Sequence, residues 1–472
     1  MSGTFITALC LQATGIISLR HRLGRTWWRR PVVMLVFAAV AYNGVSEILI
    51  SIPSIGKWDI YHQGIKQSYI DMAALIMSVG LLCLVICYLL AKPESAAASA
   101  RVDEAPLVGR YLDWRLFAIA CAPLAVLTYE GRGYNNSISA ATVTTSSDLA
   151  TTFLILLVAL AAFGFLLRHG MKWFVVVLGL QSALLAAAGE RLPIVMEAIT
   201  LLVLLAEVGL RPSGRQVAVT LLLTVVAALG ITGLRAESGR GIFLQNSGLK
   251  ARVAAVGDGF YFLFHTSDSK GTGPGLITQS ALRLDGTSFA GSILQGIRLG
   301  HPPLGVAGVG ESTLLVVPSS IWPSKLTHSG YLDPAQTEMD DFGLQQTNFL
   351  PTFLGLYLGF LGPYWLILFL GAVGALFGWG ERWLFRKVTA VRLAVLAAAM
   401  QSALSYEKGL PGMLVQMRTA VVLALAVWLF RQARDRGRRE AGVKGSRHCP
   451  ATRATAMPEA AGHAESADRR TP

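Results

Sequence analysis

Charge is scarce in this chain. Only 15% of its 472 residues are Asp, Glu, Lys or Arg, while 53% are hydrophobic and mean hydropathy is +0.52. A soluble protein of this length carries more charge and fewer unbroken apolar runs, so that class is excluded. Cysteine is scarcer still: Cys10, Cys83, Cys87, Cys121 and Cys449. Four of them fall in apolar runs and the last in the C-terminal tail. No disulfide framework is therefore available to the one long polar segment. Cys83 and Cys87 have helical i, i+4 spacing but no His or carboxylate beside them, and read as buried small apolar residues. The HExxH, Walker and GxSxG patterns are missing, which removes the motif basis for zincin, P-loop and serine-hydrolase chemistry. No internal repeat is visible either, so the inverted-repeat mark of many transporters is lacking.

What the chain does have is apolar length. About eleven runs can cross a bilayer, and the gaps between them alternate between basic and not basic. Runs near Thr4–Leu19, Pro31–Ser54, Ile70–Ala91, Leu116–Thr128 and Thr151–Leu167 come first. Trp173–Ala188, Leu192–Leu210 and Val217–Leu234 follow, then Asn348–Gly378, Leu393–Ser405 and a last run returning to the basic tail. The expected fold is an all-α polytopic integral membrane protein of about eleven transmembrane helices. Its first span is followed, not preceded, by basic residues, which is the reverse of a cleavable signal and puts the N-terminus outside.

Alternation places residues 235–348 outside the cytoplasm as one long periplasmic segment within a transmembrane domain, 1–430. Residues 431–472 form a basic tail, rich in Ala, Arg, Gly and Pro, expected to be disordered and cytoplasmic. Net charge is +13, gathered in Arg20–Arg30 and Arg431–Arg447. Both clusters flank spans, so they set orientation and attract anionic lipid heads; nucleic acid is not an expected partner. The run from Asn348 is too long for one straight crossing. Pro351 and Gly362-Pro363 break it, and a short outer or re-entrant helix followed by a true span is expected.

Candidate chemistry gathers on the outer side. Gly189-Glu190-Arg191-Leu192-Pro193 forms a tight outer turn, and Arg191 there suits an anion because a guanidinium donates two parallel hydrogen bonds. Arg235 and Arg240 leave the eighth span at head-group level. Arg418 lies inside an apolar run, where an arginine is costly and marks function unless it snorkels or pairs with Glu407. Glu47 and Asp71, in or near the second and third spans, are weaker examples of the same kind, and either can neutralise an arginine. The outer segment adds His265, His301, His328, Glu311, Asp333, Glu338, Asp340 and Asp341. The pair Asp340-Asp341 resembles a metal-binding carboxylate pair, although adjacent acids are common in solvated loops; no His-rich ligand spacing occurs, and no cofactor is implied.

The layout resembles the Wzy-type O-antigen or exopolysaccharide repeat-unit polymerases. The matching pieces are Gly189-Glu190-Arg191-Leu192-Pro193, the stretch Pro351–Gly362 with Tyr357, and Arg418. Many members carry a carboxylate before that tyrosine, whereas here Gly355-Leu356-Tyr357 has none. The resemblance implies a glycosyltransferase at the outer face of the bacterial inner membrane. Its substrate is an undecaprenyl-pyrophosphate-linked oligosaccharide, joined as repeat units, with a chain-length regulator and a flippase as further partners. Arg191, Arg235, Arg240 and Arg418 then steady the departing pyrophosphate. His265, Glu311 or Asp340 takes the acceptor proton. Three alternatives stay open: an O-antigen ligase-like transferase, a transporter or flippase of lipid-linked sugars, and a lipid-phosphate-sugar glycosyltransferase using Asp59.

Overall fold

The computed structural model describes residues 2–57, 64–91, 192–207, 284–314, 352–384 and 390–406, with isolated positions elsewhere, among them 338 and 342. Every regular element among the described residues is helical. Helix α1 (Gly3–Leu23) opens on Ser2, whose hydroxyl accepts from the Phe5 amide at 3.1 Å. It closes on Gly24 at φ 65°, a left-handed position that glycine takes without strain. Helix α2 starts with Pro31 at its first position, where a missing N–H costs nothing, and runs over Pro31–Ile50. A π-helical turn, Ala41–Val45, interrupts it.

Helix α3 (Gln67–Leu90) is 24 residues long, about 36 Å at 1.5 Å per residue, and so exceeds a hydrocarbon core. Met72, Val79 and Ile86 recur at sevens and are exposed, while Ile70, Met77, Leu81, Leu84 and Tyr88 are buried. One face thus meets neighbours and the other is left for lipid. Helices α4 (Leu192–Glu207), α5 (Thr287–Arg298), α6 (Val306–Leu314), α7 (Phe353–Leu384) and α8 (Ala390–Leu404) follow, and short helical segments at Gly24–Arg29 and Pro53–Gly56 flank α2. Four described helical stretches are long and apolar enough to cross a membrane: Gly3–Arg29, Pro31–Ile50, Gln67–Leu90 and Phe353–Arg382. The expected spans four, five, six, eight and eleven lie outside the described residues.

Glycines let α3 and α7 touch. A Cβ at Gly374 would overlap the Leu84 carbonyl, one at Gly378 the Tyr88 carbonyl, and one at Gly80 the Leu370 side chain. Close backbone approach over small residues is how helices associate where lipid removes the hydrophobic drive. Cys83 and Cys87 depart from expectation: they are half-buried against Gly371, because the helix face that carries them does not point wholly inward.

Helix α7 is two helices. Gly362 sits at φ 72°, ψ 175°, and the chain doubles back there. Tyr357 and Phe369 stack with centroids 4.5 Å apart and planes at 5°. A straight helix would separate those residues by about 18 Å. The short arm, 353–361, is buried almost throughout, whereas the long arm exposes Tyr364, Trp365, Leu368, Leu376 and Trp379. Pro363 supplies no N–H, so carbonyls at the end of the short arm need other donors. The loop before α6 provides them: Leu304 N donates to Gly359 O at 3.2 Å and Gly305 N to Phe360 O at 2.8 Å. The break expected in the Asn348–Gly378 run is thus present, with a short helix followed by a longer one.

Candidate functional site

The helices have two polar ends. At one, Arg30 at the start of α2 pairs with Glu381 near the end of α7, and Tyr88 near the end of α3 donates to the same carboxylate. Arg29 pairs with Glu207, the last residue of α4, at 3.6 Å. These contacts fix the register of four helices and bind one another's charges.

The other end holds a ladder of side chains. Gln67 Nε2 donates to Glu47 Oε1 at 3.1 Å and to Asp71 Oδ1 at 3.0 Å. The Thr287 hydroxyl lies 3.0 Å from Glu47 Oε2 and 2.8 Å from Asp285 Oδ1. Asp285 also accepts the Thr287 and Ser288 amides at 3.1 and 3.0 Å, capping α5, and bonds the Ser288 hydroxyl. Glu47, Asp71 and Asp285 are 6%, 6% and 3% exposed and Thr287 is fully buried, so the ladder is nearly dry except at Gln67, which is exposed.

The chain is brought here by two short helices that start side by side. The α5 start is tied to α2, with Gly286 N donating to Tyr42 O at 3.0 Å. From there α5 runs antiparallel to α3. Gly291 packs on Ile70, and Gln295 accepts from Lys66 N at 3.0 Å and donates to Gly64 O at 3.3 Å. The short arm of α7 begins beside it: Thr352 touches Gly286, and Phe289 touches Gly355. Thr352 Oγ1 caps that arm by accepting from Gly355 N at 3.2 Å. Both short helices therefore begin beside the ladder. The π-helical turn of α2 turns Asn43 toward Tyr406, to which its Nδ2 donates at 2.7 Å. Burial raises the Tyr406 hydroxyl above the ordinary phenol range, against hydrogen bonds from Asn43 and Thr352.

Chemically, the ladder is rich in acceptors. Three carboxyl groups suit hydroxyl or ammonium donors, not phosphate oxygens. The α5 start is no anion site either, because its free amides are taken by Asp285. Among the described residues no group of three or more His, Cys, Asp or Glu is placed to hold a metal ion.

Of the residues singled out from sequence, Arg191, Arg235, Arg240, Arg418, His265, Asp340 and Asp59 lie outside the described residues. Glu311 lies on α6, with only its backbone described. Glu47 and Asp71 are brought together through Gln67. Asp285, Thr287 and Asn43 were not anticipated. The one sequence signal was Asp285-Gly-Thr-Ser288, a helix-start pattern of the kind that usually means only a cap.

The described residues thus form an all-helical protein whose longest helices suit a membrane. Comparison of the chain with protein-family models, with curated proteins and with solved structures finds no match.

Proposed function

We propose that this chain is a glycosyltransferase that joins undecaprenyl-pyrophosphate-linked oligosaccharide repeat units into O-antigen or exopolysaccharide at the outer face of the bacterial inner membrane. One observation carries the reading. The stretch that bears the family resemblance, Pro351–Gly362, includes the re-entrant arm of α7, and its Thr352 abuts Gly286, next to Asp285 of the carboxylate ladder. An acceptor sugar presents hydroxyl donors, and the ladder presents acceptors for them. In the transfer the acceptor oxygen bonds to C1 of the donor sugar. The bond from C1 to the diphosphate breaks, its electron pair leaves on the lipid diphosphate, and the hydroxyl proton passes to a base. Arg191, Arg235, Arg240 and Arg418 are the cations assigned to the leaving group.

A second reading, a transporter of lipid-linked sugars, draws on the same re-entrant hairpin. Broken helices meeting below the membrane surface also line transport sites. Reconstitution separates the two. Purified protein given labelled lipid-linked repeat units should yield a ladder of joined oligomers with release of lipid diphosphate. Unjoined units that cross sealed vesicles would replace the polymerase reading with transport. In cells, deletion of the gene should leave single repeat units on the surface where long chains stood before.

A further inference from the structure

The three carboxylates of the ladder are not equally occupied. Asp285 accepts the Thr287 and Ser288 amides at Oδ1 and the Ser288 hydroxyl at Oδ2, and so is spent as the cap of α5. Glu47 is bonded at both oxygens, by Gln67 at Oε1 and by the Thr287 hydroxyl at Oε2. Asp71 accepts from Gln67 at Oδ1 and from nothing else. Its Oδ2 is neither bonded nor sealed off, although the residue is only 6% exposed. Gln67 carries two N–H groups on Nε2 and gives one to each neighbour, which holds the Asp71 carboxylate and leaves its second oxygen unused. The backbone under Asp71 is held on two sides: Ile70 packs on Gly291 of α5, and Ala74 packs with Phe5 of α1. Exposed Gln67, one turn away, leaves a way in from the surface. A second unbonded acceptor, Asn43 Oδ1, lies one turn before Glu47 on α2, against Gly286, in a residue 1% exposed. Native proteins match buried acceptors with donors, and this polar run is short of donors at both ends. A sugar hydroxyl brings one.

We propose that Asp71 is the base of the transfer, an assignment that rests on the glycosyl-transfer reading above. The acceptor hydroxyl donates to Asp71 Oδ2. Its oxygen bonds to C1 of the donor sugar as the bond from C1 to the diphosphate breaks, the electron pair leaves with the diphosphate, and the proton moves to Oδ2. The neutral acid then returns that proton to water on the side of Gln67. Asp71 thereby fills the role that sequence alone spread over His265, Glu311 and Asp340. Neither Glu47 nor Asp285 has an oxygen without a donor.

Kinetics of the reconstituted full chain test this. Asp71→Asn keeps the shape and the Gln67 contact but loses the proton acceptor. Its kcat for joining should fall about 10²- to 10⁴-fold, with the KM for lipid-linked repeat units and the melting temperature close to wild type. Formate, a small carboxylate that fits the gap, should raise the rate of Asp71→Ala and leave that of Glu47→Ala unchanged. A role in structure alone does not respond to formate. Turnover of Asp71→Asn within a few-fold of wild type, or rescue of Glu47→Ala instead, overturns the proposal. Should Asp71→Asn fail to fold, wild-type protein decides. A water-soluble carbodiimide with glycine methyl ester should modify Asp71, and lipid-linked repeat units isolated from the host's membranes should protect it. Lack of protection overturns the proposal. Wild-type protein that joins no units removes the polymerase reading and takes this assignment with it, whereas joining that survives in Asp71→Asn removes the assignment alone.

Discussion

Arg30 and Glu381 stand 351 positions apart in sequence and 3.2 Å apart in space, each 1% exposed. The pair joins the first residues of α2 to the last turn of α7, and Tyr88 adds α3 by donating to Glu381 at 2.5 Å. Two charges buried this deeply gain little over apolar neighbours. Losing one of them is what costs, because the other is then stranded.

Arg30→Ala should therefore destabilise the protein by about 3–5 kcal/mol. Removing Glu381 in the same chain should restore part of that loss, since no charge is then left alone. Thermal unfolding of Arg30→Ala, Glu381→Ala and the double variant in one detergent measures the coupling. A double-variant loss equal to the sum of the two single losses would mean that the pair is not coupled.

Much of this end was legible in the sequence, and much of the other was not. Runs of apolar residues marked α1, α2 and α3, and Gly362-Pro363 marked a break, because both are local signals. The direction of the break was not local. It depends on Leu304 and Gly305 supplying N–H groups to carbonyls that Pro363 leaves open, a contact across some fifty residues. Glu47 and Asp71 were visible as acids in or near apolar runs. Their link to Asp285 passes through Thr287, 240 positions from Glu47, and no spacing rule reaches that far.

Gly374 lies against α3, where a side chain would meet the Leu84 carbonyl. Gly374→Val should push the helices apart and cost about 1–3 kcal/mol, the usual range for overpacking. Gly380, which has open space around it, is the control, and Gly380→Ala should leave thermal stability within about 0.5 kcal/mol. Matching melting temperatures for the two variants would place the contact elsewhere.

Thr287→Val keeps the shape of the ladder and removes its central hydroxyl. Glu47 Oε2 and Asp285 Oδ1 then lose a shared neighbour in a nearly dry site, at a cost of about 1–3 kcal/mol. Thr287→Ser retains the hydroxyl and should recover most of it. Polymerisation should fall in the valine variant and return in the serine variant. A valine variant as stable and as active as wild type would remove the ladder from the site.

Arg191→Ala and Arg418→Ala test the other pole of the proposed reaction. Fixed guanidinium groups stabilise a departing diphosphate most where water is scarce, so removing one costs the transfer step and not the fold. Each variant should insert at wild-type levels yet attach only single repeat units, read as collapse of the polysaccharide ladder on a gel. Lysine at either position should restore little, because it offers a point charge in place of a planar fork. Arg191→Cys adds a separate check. An impermeant maleimide should reach that thiol from the periplasm in a chain whose other cysteines are replaced. Long chains persisting in Arg418→Ala would free that arginine from the leaving-group role. A thiol at 191 reached only from the cytoplasm would invert the orientation on which the whole assignment of poles depends.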